Sequence, residues 1–235
     1  GRFTRDDGTF DAGLNARLGF PSFAVEATVN PDFSQVESDA GLVTVNERFT
    51  LFLPERRPFF LEGIELFATP NQLVYSRRIA NPIAGTKLTG KRGRFGVALL
   101  SALDEVSGDD ALFNIARLRA DYGGSSVAGV TLTDRRRGGE GNTVLALDNR
   151  LVFRKLYYFE TQLGQSFTSH ANDVRSAPVW RAELDRTGRT WGFNYQLNAL
   201  GDRFQSDAGF VPRVGYQQAR AFNRLAWLGE PSSLV

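Results

Sequence analysis

The amino-acid sequence predicts an all-β protein, an antiparallel transmembrane β-barrel of the outer-membrane type. Three observations predict it. Apolar and polar residues alternate in segment after segment, turn residues separate those segments, and no stretch could cross a bilayer as a helix. The longest apolar run, around Phe95 to Leu103, is interrupted by Gly96 and Ser101, far short of the roughly 18 residues a membrane helix needs. A chain of this kind can enter a membrane only with strands whose backbone groups pair laterally.

The alternation begins near the N-terminus, where Phe10, Ala12, Leu14, Ala16 and Leu18 share one face and Thr9, Asp11, Asn15 and Arg17 the other. Phe23, Val25, Ala27 and Val29 then alternate with Glu26, Thr28 and Asn30. Leu112 to Tyr122 is read as a strand, because Phe113, Ile115 and the following Gly123-Gly124 suit a strand better than a helix. Beyond it the pattern is nearly continuous. Leu145, Leu147, Leu151 and Phe153 oppose Asp148 and Arg150; Tyr157, Phe159, Leu163 and Phe167 oppose Glu160, Gln162 and Ser166. Trp180, Ala182 and Leu184 oppose Arg181, Glu183 and Asp185, and Trp191, Phe193, Tyr195 and Leu197 oppose Asn194, Gln196 and Asn198. A last run sets Ala219, Ala221, Leu225 and Trp227 against Gln218, Arg220 and Arg224. In all, about ten to twelve strands are expected.

Turn signals fall between the runs at Gly123 to Ser126, Arg137 to Asn142, Arg186 to Arg189 and Gly201-Asp202. The connection around Asp185 to Arg189 reads as a tight hairpin, the stretch Ser169 to Ser176 as a longer polar loop, and Arg135-Arg136-Arg137 as a hairpin tip. One region differs. From near residue 31 to 82 the alternation fades, Pro54, Pro58, Pro70 and Pro82 cluster, and arginines sit among phenylalanines. Pro58 has no N–H to give a sheet ladder, so this Pro/Arg-rich segment is expected to be a plug-like loop or short helix packed inside or beside the sheet. The whole chain, 1–235, is then part of one barrel domain with that segment within it.

An alternating antiparallel sheet also suits a soluble sandwich. The polar faces favour the barrel: they carry Arg150, Glu160, Gln162, Arg181, Glu183 and Asp185, and Lys155 is the only lysine after Lys91. Rows of arginine and carboxylate suit a water-facing lumen in which neighbouring strands pair their charges. Tyr157, Tyr158, Trp180, Trp191 and Trp227 stand on or near the apolar faces, as rings with a polar edge do at a headgroup boundary.

Composition removes several function classes. There are no cysteines and one histidine, His170, among 235 residues, so disulfide frameworks, thiolate chemistry and histidine metal clusters are absent. The net charge of +2 is interspersed along the chain, without the basic stripe of a nucleic-acid binder. No cofactor is implied: Gly85 to Gly90 lacks the Gly-Lys-Ser/Thr ending of a phosphate loop. No metal site is assigned, because the acidic group Asp104, Glu105, Asp109 and Asp110 lacks calcium-loop spacing.

The middle region carries a resemblance. The stretch Ala27-Thr28-Val29-Asn30-Pro31-Asp32-Phe33-Ser34-Gln35-Val36-Glu37 is followed by Asn46-Glu47-Arg48-Phe49 and by Phe52-Leu53-Pro54-Glu55-Arg56-Arg57-Pro58-Phe59-Phe60-Leu61-Glu62-Gly63. Next come Tyr75-Ser76-Arg77-Arg78-Ile79, Ala84-Gly85-Thr86-Lys87-Leu88-Thr89-Gly90 and, much later, Asp207-Ala208-Gly209-Phe210-Val211-Pro212-Arg213. In this order they resemble an uncharacterised family of bacterial surface proteins, in which a carbohydrate-binding-like domain similar to family 9 modules precedes a large C-terminal domain of unknown function. The resemblance implies a β-barrel in the outer membrane of Gram-negative bacteria. It supplies no reaction. The terminal aromatic expected of a complete barrel is missing at Ser233-Leu234-Val235, so the chain reads as the first part of such a barrel.

The candidate ligand-binding or lumen residues are Asp32, Glu37, Arg48, Glu55, Arg56, Arg57, Glu62, Arg77 and Arg78. Their carboxylates, with Glu65, suggest a glycosidase acid and base, but pairing with the arginines to fix a plug or constriction is the reading we favour. No catalytic residue is assigned. The expected function is a conduit, receptor or anchor in the outer membrane for glycan-related ligands. Its partners would be outer-membrane lipid, glycans and further protein subunits, with no nucleic acid. A surface glycan hydrolase and a structural subunit of a larger assembly are the alternatives.

Overall fold

A computed structural model describes residues 13–31, 52–106, 108–171 and 173–227. Eleven strands form one antiparallel sheet in sequence order: β1 (Leu14–Gly19), β2 (Phe23–Val29), β3 (Pro82–Arg92), β4 (Phe95–Asp104), β5 (Ala111–Tyr122) and β6 (Ser126–Arg137). They continue as β7 (Glu140–Phe153), β8 (Tyr157–His170), β9 (Asp173–Arg186), β10 (Trp191–Leu200) and β11 (Tyr216–Leu225). The fold is all-β with little helix, and the sheet is not closed. Among the described residues β1 pairs with β2 alone and β11 with β10 alone. No helix there is long and apolar enough to cross a membrane.

The register carries the alternation across the whole sheet. Leu147 lies opposite Val130 on one side and Leu163 on the other, and Leu163 opposite Trp180. The outward face is apolar and open: Leu118 is 53% exposed, Leu147 58% and Leu163 62%. The inward face is covered and carries buried charge beside apolar residues: Lys87 is 3% exposed, Arg117 4% and Gln162 1%. This inverts the usual disposition, in which charge faces solvent and leucine the core.

What covers the inner face is the chain itself. The described part of the Pro/Arg-rich region, 52–81, holds α1 (Pro58–Leu61) and two 3-10 turns, Ile64–Phe67 and Ser76–Arg78. Pro58 occupies the first turn of α1, where a missing N–H costs nothing. Phe59, Phe60, Phe67 and Ile79 pack on Ala98, Leu100, Ala102, Phe113 and Ile115 of β4 and β5. Small alanines on the strands make room for the rings. A second inner segment, 201–215, joins β10 to β11. Its Phe204 packs with Leu73, Val144, Ala146, Val179 and Leu200.

Two expected turns are placed differently. The stretch Ser169 to Ser176 is not a long loop: β8 runs to His170 and β9 begins at Asp173, with Ser169 opposite Val174. Polar side chains on both faces erase the alternation there, yet the backbone ladder continues. Arg135-Arg136-Arg137 ends β6 rather than forming the tip, which is Gly138-Gly139, with Gly138 at φ +53°. His170 accordingly ends a strand and faces Glu140 at 2.9 Å.

Candidate functional site

The inner segment is held by one buried ion pair. Glu55 and Arg57 flank a chain that turns into α1 at Pro58. The Arg57 guanidinium donates from Nε to Glu55 Oε1 at 2.9 Å and from Nη2 to Oε2 at 2.8 Å. It also donates to the carbonyls of Ile79 at 2.5 Å and Ser76 at 2.8 Å, and lies 4.2 Å from the ring centre of Phe60. Glu55 accepts further hydrogen bonds from the Ser76 hydroxyl at 2.5 Å and from the backbone N–H groups of Arg56 and Arg57. Burial alone would raise the Glu55 pKa. The hydrogen bonds from Arg57 and Ser76, with the guanidinium charge, outweigh it and hold the carboxyl down at about 2.

The other candidates are spread along the segment. Arg77 Nε donates to the Pro54 carbonyl at 3.2 Å and Arg78 Nε to the Gly209 carbonyl at 2.9 Å. Glu62 is half-exposed and pairs with Arg17 of β1, while its carbonyl accepts from Lys87 Nζ at 2.7 Å. Asp32, Glu37 and Arg48 lie outside the described residues. Two of the blocks that carry the resemblance, far apart in the chain, meet inside the sheet. Tyr75 donates its N–H to the Ala208 carbonyl at 2.7 Å, Phe210 donates to that of Gln72 at 2.8 Å, and the rings of Phe52, Tyr75 and Phe210 stand 5.2 to 5.3 Å apart. Gly209 sits at the closest approach: a Cβ there would lie 2.5 Å from Ser206 Oγ and 2.8 Å from the Gln72 carbonyl.

Sequence reasoning missed the residues of the sheet that receive this segment. Lys87 pairs with Glu26 at 3.1 Å, its register partner on β2, and also donates to the Phe59 carbonyl. Beyond the apolar patch, towards the short hairpins, the inner face becomes a charged ladder. Arg117 forks onto Asp148 at 2.6 and 2.8 Å and donates to Thr131 at 2.5 Å. In the next rows Arg181 lies against Glu160 and Glu183, and Asn194 and Gln196 donate to Glu183. The ladder ties back to the segment, since Asn71 donates its N–H to Gln162 at 2.9 Å. The alternation had put Asp148, Glu160, Gln162, Arg181, Glu183, Asn194 and Gln196 on polar faces, but Arg117 follows Phe113 and Ile115 on the same face of β5, and it reaches Asp148 over Gly129, a contact no single strand encodes.

Chemically the arrangement is a clamp. A general acid needs a raised pKa, and Glu55 moves in the opposite direction with both oxygens occupied. A cavity of about 420 Å³ remains between segment and wall, lined by Phe52, Glu55, Phe60, Tyr75, Lys87 and Leu100 among others. Among the described residues no cluster of His, Asp and Glu could hold a metal ion.

No curated protein and no solved structure matches the chain. A family model does: residues 3–93, about two fifths of the sequence, match a domain of unknown function (DUF5916). The match spans β1 to β3 together with the clamp segment, one of the two segments that cover the sheet's inner face.

Proposed function

We propose that this chain is wall and plug of an outer-membrane β-barrel that serves as a membrane-embedded anchor or receptor rather than an open pore. One observation carries the reading: large leucines stand open to the outside on strand after strand, while lysine, arginine and glutamate are buried on the inside. Lipid is the surrounding in which that distribution is favourable. In hydrocarbon the free edges of β1 and β11 must also be paired, with one another or with further strands. The segments 52–81 and 201–215, clamped through Arg57 and Asn71, occupy the interior and argue against free passage. Glycan-related material as the ligand is supported by the resemblance alone.

Because the chain has no cysteine, single cysteines report environment directly. In vesicles, Leu147→Cys and Leu163→Cys should react with a lipid-soluble maleimide and resist a water-soluble one, whereas Gly139→Cys at the hairpin tip should react with both. The protein should need detergent for extraction and run as a heat-modifiable band. Solubility in plain buffer would overturn the proposal. For the hydrolase alternative, Glu62→Gln is decisive: loss of a measurable glycan cleavage would favour the enzyme, and no cleavage by the parent protein would remove it.

A further inference from the structure

The two ends of the sheet differ in charge. At one end all five connections are short: residues 20–22, 93–94, 123–125, 154–156 and 187–190. These turns contain Arg94, Arg154, Lys155 and Arg189 and no carboxylate. The opposite end has a two-residue turn at 138–139 but also the longer connections 105–110 and 201–215, which together carry Glu105, Asp109, Asp110, Asp202 and Asp207 against Arg203 and Arg213. Just inside the short-turn rim lie outward aromatics: Phe153 stacked on Tyr157 at 5.2 Å, and Phe193 between Trp191 at 5.5 Å and Tyr195 at 4.8 Å.

The outward face at this rim is interrupted by a groove of about 890 Å³. Small residues open its floor: Gly90 on β3, opposite Val97 of β4, and one row nearer the rim Ala120 on β5 opposite Ala128 on β6. Its walls are Phe20 and Phe23, stacked at 4.5 Å, and Phe95. Gly90 is required there, since a Cβ would lie 2.5 Å from both the Phe23 Cβ and the Ser22 carbonyl. Arg92 lines its mouth, and Arg94 lies 5.0 Å from the ring centre of Phe95 beside it. Among the described residues neither arginine is paired with a carboxylate.

We propose that this groove is a binding site for one anionic phospholipid, with an acyl chain along Gly90, Ala120 and Ala128 and the headgroup phosphate on Arg92 and Arg94. The inference rests on the membrane reading above. Apolar floor and cationic mouth match the two ends of such a lipid, and guanidinium groups fork onto phosphate oxygens. Short turns mark the periplasmic rim of outer-membrane barrels, which selects a phospholipid over a glycolipid of the outer leaflet.

The test reconstitutes the full chain in mixed phosphatidylglycerol and phosphatidylcholine vesicles, extracts it gently and counts retained lipid by native mass spectrometry. The parent protein should hold phosphatidylglycerol selectively, at about one per chain. Arg92→Gln with Arg94→Gln should reduce that selectivity about thirtyfold, at about 1 kcal/mol for each arginine. Ala128→Phe, which fills the floor and keeps both arginines, should displace the lipid. Equal retention of the two lipids by the parent, unchanged selectivity in the double variant, or preferential retention of added lipid A would each overturn the site. Heat-modifiability, scored on the same samples, separates the two levels: an inserted protein without selectivity loses only the groove, whereas failure of the parent to insert removes the membrane reading as well.

Discussion

Replacing Leu147 by arginine separates a lipid surrounding from water by both size and depth. Leu147 sits mid-strand in β7, an outward residue between Val130 and Leu163. Six or seven residues separate it from either end of the strand, roughly 20 Å at about 3.4 Å per residue, or about 15 Å of depth at the tilt usual for barrels. An arginine there cannot easily bring its head to the interface and should cost about 2 to 4 kcal/mol in a bilayer. On a water-exposed sheet the same change should stay within about 0.5 kcal/mol. Val174, outward and near the start of β9, provides the depth control, since arginine near an interface costs at most about 1 kcal/mol. The assay is guanidinium unfolding in phosphatidylcholine vesicles, followed by the fluorescence of Trp180, Trp191 and Trp227. A Leu147→Arg effect below about 0.5 kcal/mol, or equal effects at both positions, would refute the reasoning.

Removing the charge of Asp148 should leave the buried Arg117 guanidinium uncompensated and destabilise by about 3 to 5 kcal/mol, whereas Arg117→Met combined with Asp148→Leu should recover most of that loss; chemical denaturation of the two variants and the parent checks both. Glu55 is lowered from an ordinary value of 4.5 to about 2 in the folded protein. Its stabilising contribution, on the order of 3 kcal/mol, is therefore complete above pH 4.5 and drains away as the pH falls towards 2. Glu55→Gln should flatten that part of the stability-versus-pH curve, and an unchanged acid limb would count against the clamp. Gly209→Ala forces a Cβ against Ser206 and the Gln72 carbonyl; a loss of about 1 to 3 kcal/mol is expected, with earlier proteolytic cleavage in 201–215 as the readout.

The alternation of Leu145 and Leu147 with Asp148 and Arg150, and its recurrence to Leu225, was sufficient to determine strands, their approximate number and the two chemically distinct faces, because side chains on a pleated strand must point to opposite sides. Pro58 was equally decisive locally: without an N–H it could not enter the ladder, so the region around it had to leave the sheet. Three things were decided only in three dimensions. Where polar side chains occupy both faces, as at Ser169 to Ser176, sequence lost the strand although the backbone kept it. Which charges pair depends on register and reach: Lys87 meets Glu26, its partner on the neighbouring strand, whereas Arg117 on β5 reaches Asp148 on β7 over Gly129 of β6. The meeting of Tyr75 with Ala208 and Phe210 joins segments more than 130 positions apart; no local pattern encodes it, because it follows from the area left to cover on the inner face once the strands are in place.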